Sequence, residues 1–117
     1  MKGFLNLVLV AMIIAALFHS TTGLKCYSKY DNRHLCGDTT DGEIVECPGP
    51  NPGCSISETF MSMGSLGSVK NCDRSCLDDL NSSNEGCFSH NIQGGIVNIC
   101  NCGSDGCNEN FDTAGKL

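Results

Sequence analysis

The chain has 117 residues, among them 10 Cys and no Trp, and carries 13 Asp plus Glu against 7 Lys plus Arg, a net charge of −6. One domain is the expectation at this length. The acidic balance argues against binding to phosphate backbones and against cationic membrane lysis, both of which need a concentrated basic surface.

The chain opens on the short basic stretch Met1-Lys2-Gly3, followed by the nearly unbroken apolar run Phe4–Phe18 and then by Ser20-Thr21-Thr22-Gly23. This is the pattern of a secretory signal peptide over residues 1–23, and the apolar run falls short of the roughly 20 residues that span a bilayer. The expected mature chain, Leu24–Leu117, keeps all ten Cys and loses one base, for a formal charge of −7. Only 19 of its 94 residues are Leu, Ile, Val, Phe or Met, too few for a core that holds a domain by itself. Ten Cys in a secreted chain of this size read instead as a disulfide framework. In the chain-entropy picture each bridge that closes a loop of about 15 residues contributes ~3 kcal/mol, so reduction is expected to unfold the domain.

Three hairpins follow in chain order. The first runs from Leu24–Tyr30 to Glu43–Cys47 and returns through Asp41-Gly42, a dipeptide that accepts positive φ. Pro48–Gly53, which holds all three Pro, is a stiff connector that cannot be a central strand, because Pro has no N–H to donate. The second hairpin runs from Cys54–Met61 to Ser68–Cys72, with Cys54, Ile56 and Phe60 on one face and Ser55, Ser57 and Thr59 on the other, and turns at Gly64-Ser65-Leu66-Gly67. After it, Leu77 and Leu80 stand three apart and predict one short helical turn. The third hairpin, Cys87–Ile92 to Ile96–Cys100, is expected to reverse at Gly94-Gly95 in a tight primed turn. The tail after Asn108, residues 109–117, is short and polar and is expected to fray.

Candidate chemistry is sparse. Cys72-x3-Cys76, Cys100-x-Cys102 and His90 could be drawn as zinc ligands, but secretion favours oxidised Cys, and the two-residue Cys spacing of zinc knuckles is absent. The mature chain has only His34 and His90, neither in a nucleophile or metal motif, so no enzyme activity and no cofactor are expected. Asp78-Asp79 lacks the spaced ladder and closing Glu of a calcium loop. Asn81-Ser82-Ser83 is the one glycosylation sequon, and a glycan on Asn81 would lie between the second and third hairpins. Met61, Met63 and Leu66 gather near the tip of the second hairpin, where apolar side chains either contact a partner or fill gaps against neighbouring hairpins.

Three Cys-bounded hairpins, the opening Leu24-Lys25-Cys26-Tyr27 and the closing Cys100-Asn101-Cys102-Gly103-Ser104-Asp105-Gly106-Cys107-Asn108 together resemble the three-finger superfamily of lymphocyte antigen 6 and urokinase-receptor domains. The closing motif, with one residue between its first two Cys, looks like the form found in arthropod members. The resemblance implies a small, disulfide-rich all-β domain of three-finger, snake-toxin-like fold over residues 24–108. It implies that Asn108 bonds across the central strands. It also implies the pairs Cys26–Cys54, Cys47–Cys72, Cys87–Cys100 and Cys102–Cys107. The family's usual second Cys is Lys29 here, which leaves Cys36 and Cys76 to each other if every thiol is oxidised. Cys72 and Cys76 are close enough in sequence that their partners could be exchanged.

The expected function is that of a secreted, monomeric, non-enzymatic protein that binds or modulates an extracellular or cell-surface protein of receptor or ion-channel type. The scaffold alone cannot select among such roles. The ending Asn110–Leu117 lacks the apolar tail of a lipid anchor, so a freely soluble product without membrane insertion is expected. The alternatives are a secreted inhibitor of proteases or other enzymes, presenting the rigid Pro48–Gly53 loop, and a structural component of a secretory fluid.

Overall fold

A computed structural model describes residue 6 and residues 23–116. Apart from residue 6 and Gly23, the expected signal peptide lies outside the described residues. The fold is a six-stranded antiparallel sheet with spatial order β2-β1-β4-β3-β6-β5. Its strands are β1 (Lys25–Asp31), β2 (Glu43–Glu46), β3 (Gly53–Ser62), β4 (Ser68–Leu77), β5 (Gly86–Ile92) and β6 (Gly95–Cys102). A short helix, α1 (Phe111–Ala114), follows β6.

The three expected hairpins are β1–β2, β3–β4 and β5–β6. β1 divides its ladder: Lys25–Ser28 pair with β2, while Lys29–Asp31 pair with β4. That switch joins the first hairpin to the second and places Asp31 opposite Cys72. Gly42 takes the positive φ, 88°, that Asp41-Gly42 predicts for the return into β2. The second hairpin turns through a 3-10 turn at Gly64–Leu66, closed by Gly67 at φ 97°.

The third hairpin departs from expectation by one residue. Ile92 pairs directly with Gly95, so Gln93 and Gly94 form the loop, and of these two only Gly94, at φ 83°, has positive φ. A primed turn needs positive φ at its first central residue, and Gln93 does not supply it. Gly95 is glycine for another reason: a Cβ there would fall on the Phe60 carbonyl oxygen and 2.8 Å from Met61 Cα, because β6 runs close against β3 at this point.

The predicted helical turn at Leu77–Leu80 does not form. Leu77 ends β4, Asp79 bridges to Asn51, and the Leu80 N–H donates to Asn51 O at 2.9 Å. The backbone here is thus committed to the Pro-rich connector, which removes the groups a helical turn would use. The tail is likewise fixed rather than frayed. Asn110 and Thr113 form a reciprocal cap on α1, Thr113 Oγ1 donates to Cys107 O at 2.9 Å, Ala114 is buried and Phe111 packs on the core. Phe111 and Ala114 are the apolar anchors of this otherwise polar tail.

The core is mostly sulfur. Its buried apolar members are eight Cys, Ile56 and Ala114. All ten Cys are oxidised, as Cys26–Cys54, Cys36–Cys72, Cys47–Cys76, Cys87–Cys100 and Cys102–Cys107. Three pairs are those the resemblance implies, while the expected Cys47–Cys72 and Cys36–Cys76 are replaced by the exchanged combination. The cause lies in β4, where Cys72 and Cys76 share a face but stand four residues, about 13 Å, apart along the strand. The Cys76 end lies beside the end of β2, where Cys47 N donates to Leu24 O at 2.8 Å. The Cys72 end faces Asp31, five residues before Cys36.

Candidate interaction surface

Strand alternation gives the sheet two unlike faces. Cys54, Ile56, Cys72, Arg74 and Cys100 are buried on one of them, beneath the 36–41 loop and the C-terminal segment. The opposite face carries Phe88, Val97, Ile99, Met61, Val69 and Ile92, none of them buried.

Two polar side chains organise the covered face. Asn108 is wholly buried and joins β1 to β3. Its Oδ1 accepts from Tyr27 N at 2.9 Å, and its Nδ2 donates to Tyr27 O at 2.9 Å and Ser55 O at 3.0 Å. Arg74, only 2% exposed, reaches under the first hairpin. It donates from Nε to Glu109 O (3.0 Å), from Nη1 to Thr39 Oγ1 (2.8 Å) and Thr40 O (3.0 Å), and from Nη2 to Cys36 O (3.3 Å). Burial lowers its pKa, and the Asp41 and Glu109 carboxylates oppose that effect. The same two carboxylates, after burial, raise the Tyr27 phenol. Arg74 therefore locks the loop after β1 to the C-terminal segment. Its signal in the sequence is its place two residues after Cys72, which at strand spacing puts it on the same face as that Cys.

Arg74 lines an open cleft of about 350 Å³ together with Cys36, Thr39, Thr40, Asp41 and Glu109. The guanidinium is already held by four oxygens, and two acids stand beside it, so the cleft offers an anion little. The Cys26, Cys47 and Cys76 sulfurs lie within 4.8 Å of one another, yet each is consumed in a disulfide and none is a thiolate ligand.

The tip of the second hairpin is different in kind. Leu66 is 83% exposed and Met63 44%, with Phe60 and Val69 also exposed and Met61 half-buried. Of the three tip residues singled out from sequence, Met63 and Leu66 thus stand free, while Met61 sits between Val69 and Gly95 in the ladder. Asn81 is exposed in the β4–β5 loop, its Oδ1 accepting from Ser83 N at 2.9 Å and its Nδ2 donating to Asp79 Oδ2 at 3.2 Å. His90 is exposed on β5. His34 Nδ1 hydrogen-bonds with Asp31 Oδ1 at 3.1 Å in the turn after β1. The Asp31 carboxyl is held below its usual range first by the Arg33 backbone N–H, then by His34.

No family model, curated protein or solved structure matches the chain. Among the described residues no helix is long and apolar enough to cross a membrane. The five disulfides are consistent with an oxidising, extracellular setting.

Proposed function

We propose that this chain is a secreted three-finger protein that acts without catalysis, binding or modulating an extracellular or cell-surface protein through the tip of its second hairpin. The observation that carries this reading is the exposed pair Met63 and Leu66 at the turn of the second hairpin, flanked by Phe60 and Val69, which are exposed on the two opposite faces of the sheet. Apolar side chains spared from the core of a domain so short of apolar residues are costly to leave in water, and a partner that covers them removes that cost. The cross-linked base holds the tip in place, so little order has to be imposed on binding. Asn81, in the loop on the disulfide side of β5, leaves the tip free whether or not it carries a glycan.

The test is saturable binding of the oxidised, labelled chain to the surface of intact cells. The double variant Met63→Ala, Leu66→Ala is expected to lose at least tenfold in affinity with an unchanged melting temperature. Equal affinity in the double variant would remove the tip from the mechanism.

A second reading, enzyme inhibition, draws on the Pro48–Gly53 connector. It is clamped between Cys47 and Cys54, each in a disulfide, and Asn51 Nδ2 donates to Leu80 O. A rigid exposed loop of this kind suits the blocking of an active site, and stoichiometric inhibition of extracellular proteases would favour it.

A further inference from the structure

The two edges of the sheet are protected unequally. β2 is four residues long and begins and ends on an exposed charge, Glu43 and Glu46, one on each face. β5 is seven residues long, has no Pro, Lys, Arg, Asp or Glu, and keeps an unbroken register with β6 from Gly86↔Asn101 to Ile92↔Gly95, without a bulge. Charge, Pro, bulges and shortness are the devices that keep an edge from pairing, and β5 has none of them.

The register also says which groups are free. The two-residue loop makes Ile92↔Gly95 a hydrogen-bonded pair, so by alternation His90 and Phe88 also spend their N–H and C=O groups on β6. The backbone groups of Cys87, Ser89 and Asn91 therefore point away from the sheet, and Ser89–Ile92 are all exposed. The side chain of Ser89 is occupied within its own copy, donating to Asn98 Oδ1 at 2.8 Å.

We infer that β5 is a self-association edge: two copies of this chain pair their β5 strands antiparallel about a two-fold axis near Ser89, continuing one sheet across both. Three observations favour a second copy as the occupant. An antiparallel pairing about Ser89 is self-complementary, because it sets Cys87 of each copy against Asn91 of the other. Residues 86–102 contain no Asp, Glu, Lys or Arg, although the chain as a whole has a net charge of −6, so two like-charged copies can meet here with their charges held apart. On the half-exposed face the same register sets Phe88 of each copy beside His90 of the other, so each ring gains a side-chain neighbour across the axis.

One strand pair is a small contact, below the area of standard stable interfaces, so the dimer forms at high concentration and dissociates on dilution. The test is sedimentation of the oxidised chain, carrying Asn81→Gln so that no glycan adds mass, from micromolar to millimolar concentration. The weight-average mass is expected to rise twofold. Asn91→Pro, which removes an outward N–H and no bond to β6, and Asn91→Lys are both expected to keep the mass of one chain throughout, with native near-ultraviolet dichroism. Met63→Ala with Leu66→Ala is expected to dimerise like the parent. A parent that stays monomeric at every concentration overturns the inference, even if β5 accepts an extended peptide from another protein. So does a dimer that survives both Asn91 variants or that is lost only on changing the tip.

Discussion

Ile56 and Phe60 sit on the same face of β3, four residues apart, yet Ile56 is 0% exposed and Phe60 37%. Between them the means of support change. At the Ile56 end, disulfides, the Asn108 hydrogen bonds and the Arg74 clamp overlap within a few residues. At the Phe60 end, the strands are held by backbone ladders and a 3-10 turn. The disulfide end therefore carries the stability, and residues of the tip can be exchanged at small cost to the fold.

That contrast can be broken most severely at the disulfide end. Replacing Cys36 and Cys72 by Ser opens a cross-link spanning 36 residues and is expected to cost about 4 kcal/mol, against about 2 kcal/mol for the Cys102–Cys107 pair, which spans 5. Denaturant unfolding of the two double variants measures the difference; equal losses would refute the loop-length account. Peptide mapping of the native protein should recover Cys36 joined to Cys72 and Cys47 to Cys76.

Next in size is Asn108→Ala, which strands the buried Tyr27 N–H, Tyr27 C=O and Ser55 C=O and is expected to cost about 3 kcal/mol. Arg74→Met should cost a similar amount, about 3 kcal/mol, by leaving the Cys36, Thr40 and Glu109 carbonyls without their donor. Amide exchange should then accelerate first in the 36–41 loop, and uniform acceleration would show that Arg74 is not a local clamp. At the tip, Leu66→Ala should change stability by less than about 0.5 kcal/mol.

The smallest effect is electrostatic. The Asp31 carboxyl titrates below its unfolded value of about 3.9. Its contribution is therefore present above that pH and is lost as the pH falls through the lower folded value. Asp31→Asn should lower the melting temperature slightly at neutral pH, and the two proteins should converge in acid. A constant difference down to the lowest pH would exclude this ionisation as the cause.

Much of the architecture was legible because it is local. Apolar alternation in Cys54-x-Ile56 and the positive-φ glycine at Gly42 specify strands and a return through the chemistry of neighbouring residues. The loop at Gln93–Gly94 escaped by one position because two adjacent glycines serve different needs, one conformational and one of space beside Phe60. The exposure of Met63 and Leu66 was an open choice in the sequence, since only the spread of the hairpins decides whether a tip residue meets a neighbour.

Composition by itself determined that sulfur bridges must take the place of an apolar core, because 19 large apolar residues in the expected mature chain cannot enclose one. It could not determine which sulfurs meet. Cys72 and Cys76 are chemically alike and point the same way from β4, so their partners are chosen by where β1 leaves β2 and lies against β4. The same placement buries Arg74 and draws the C-terminal turn over it. These are contacts between residues distant in the chain, decided by chain path rather than by local preference.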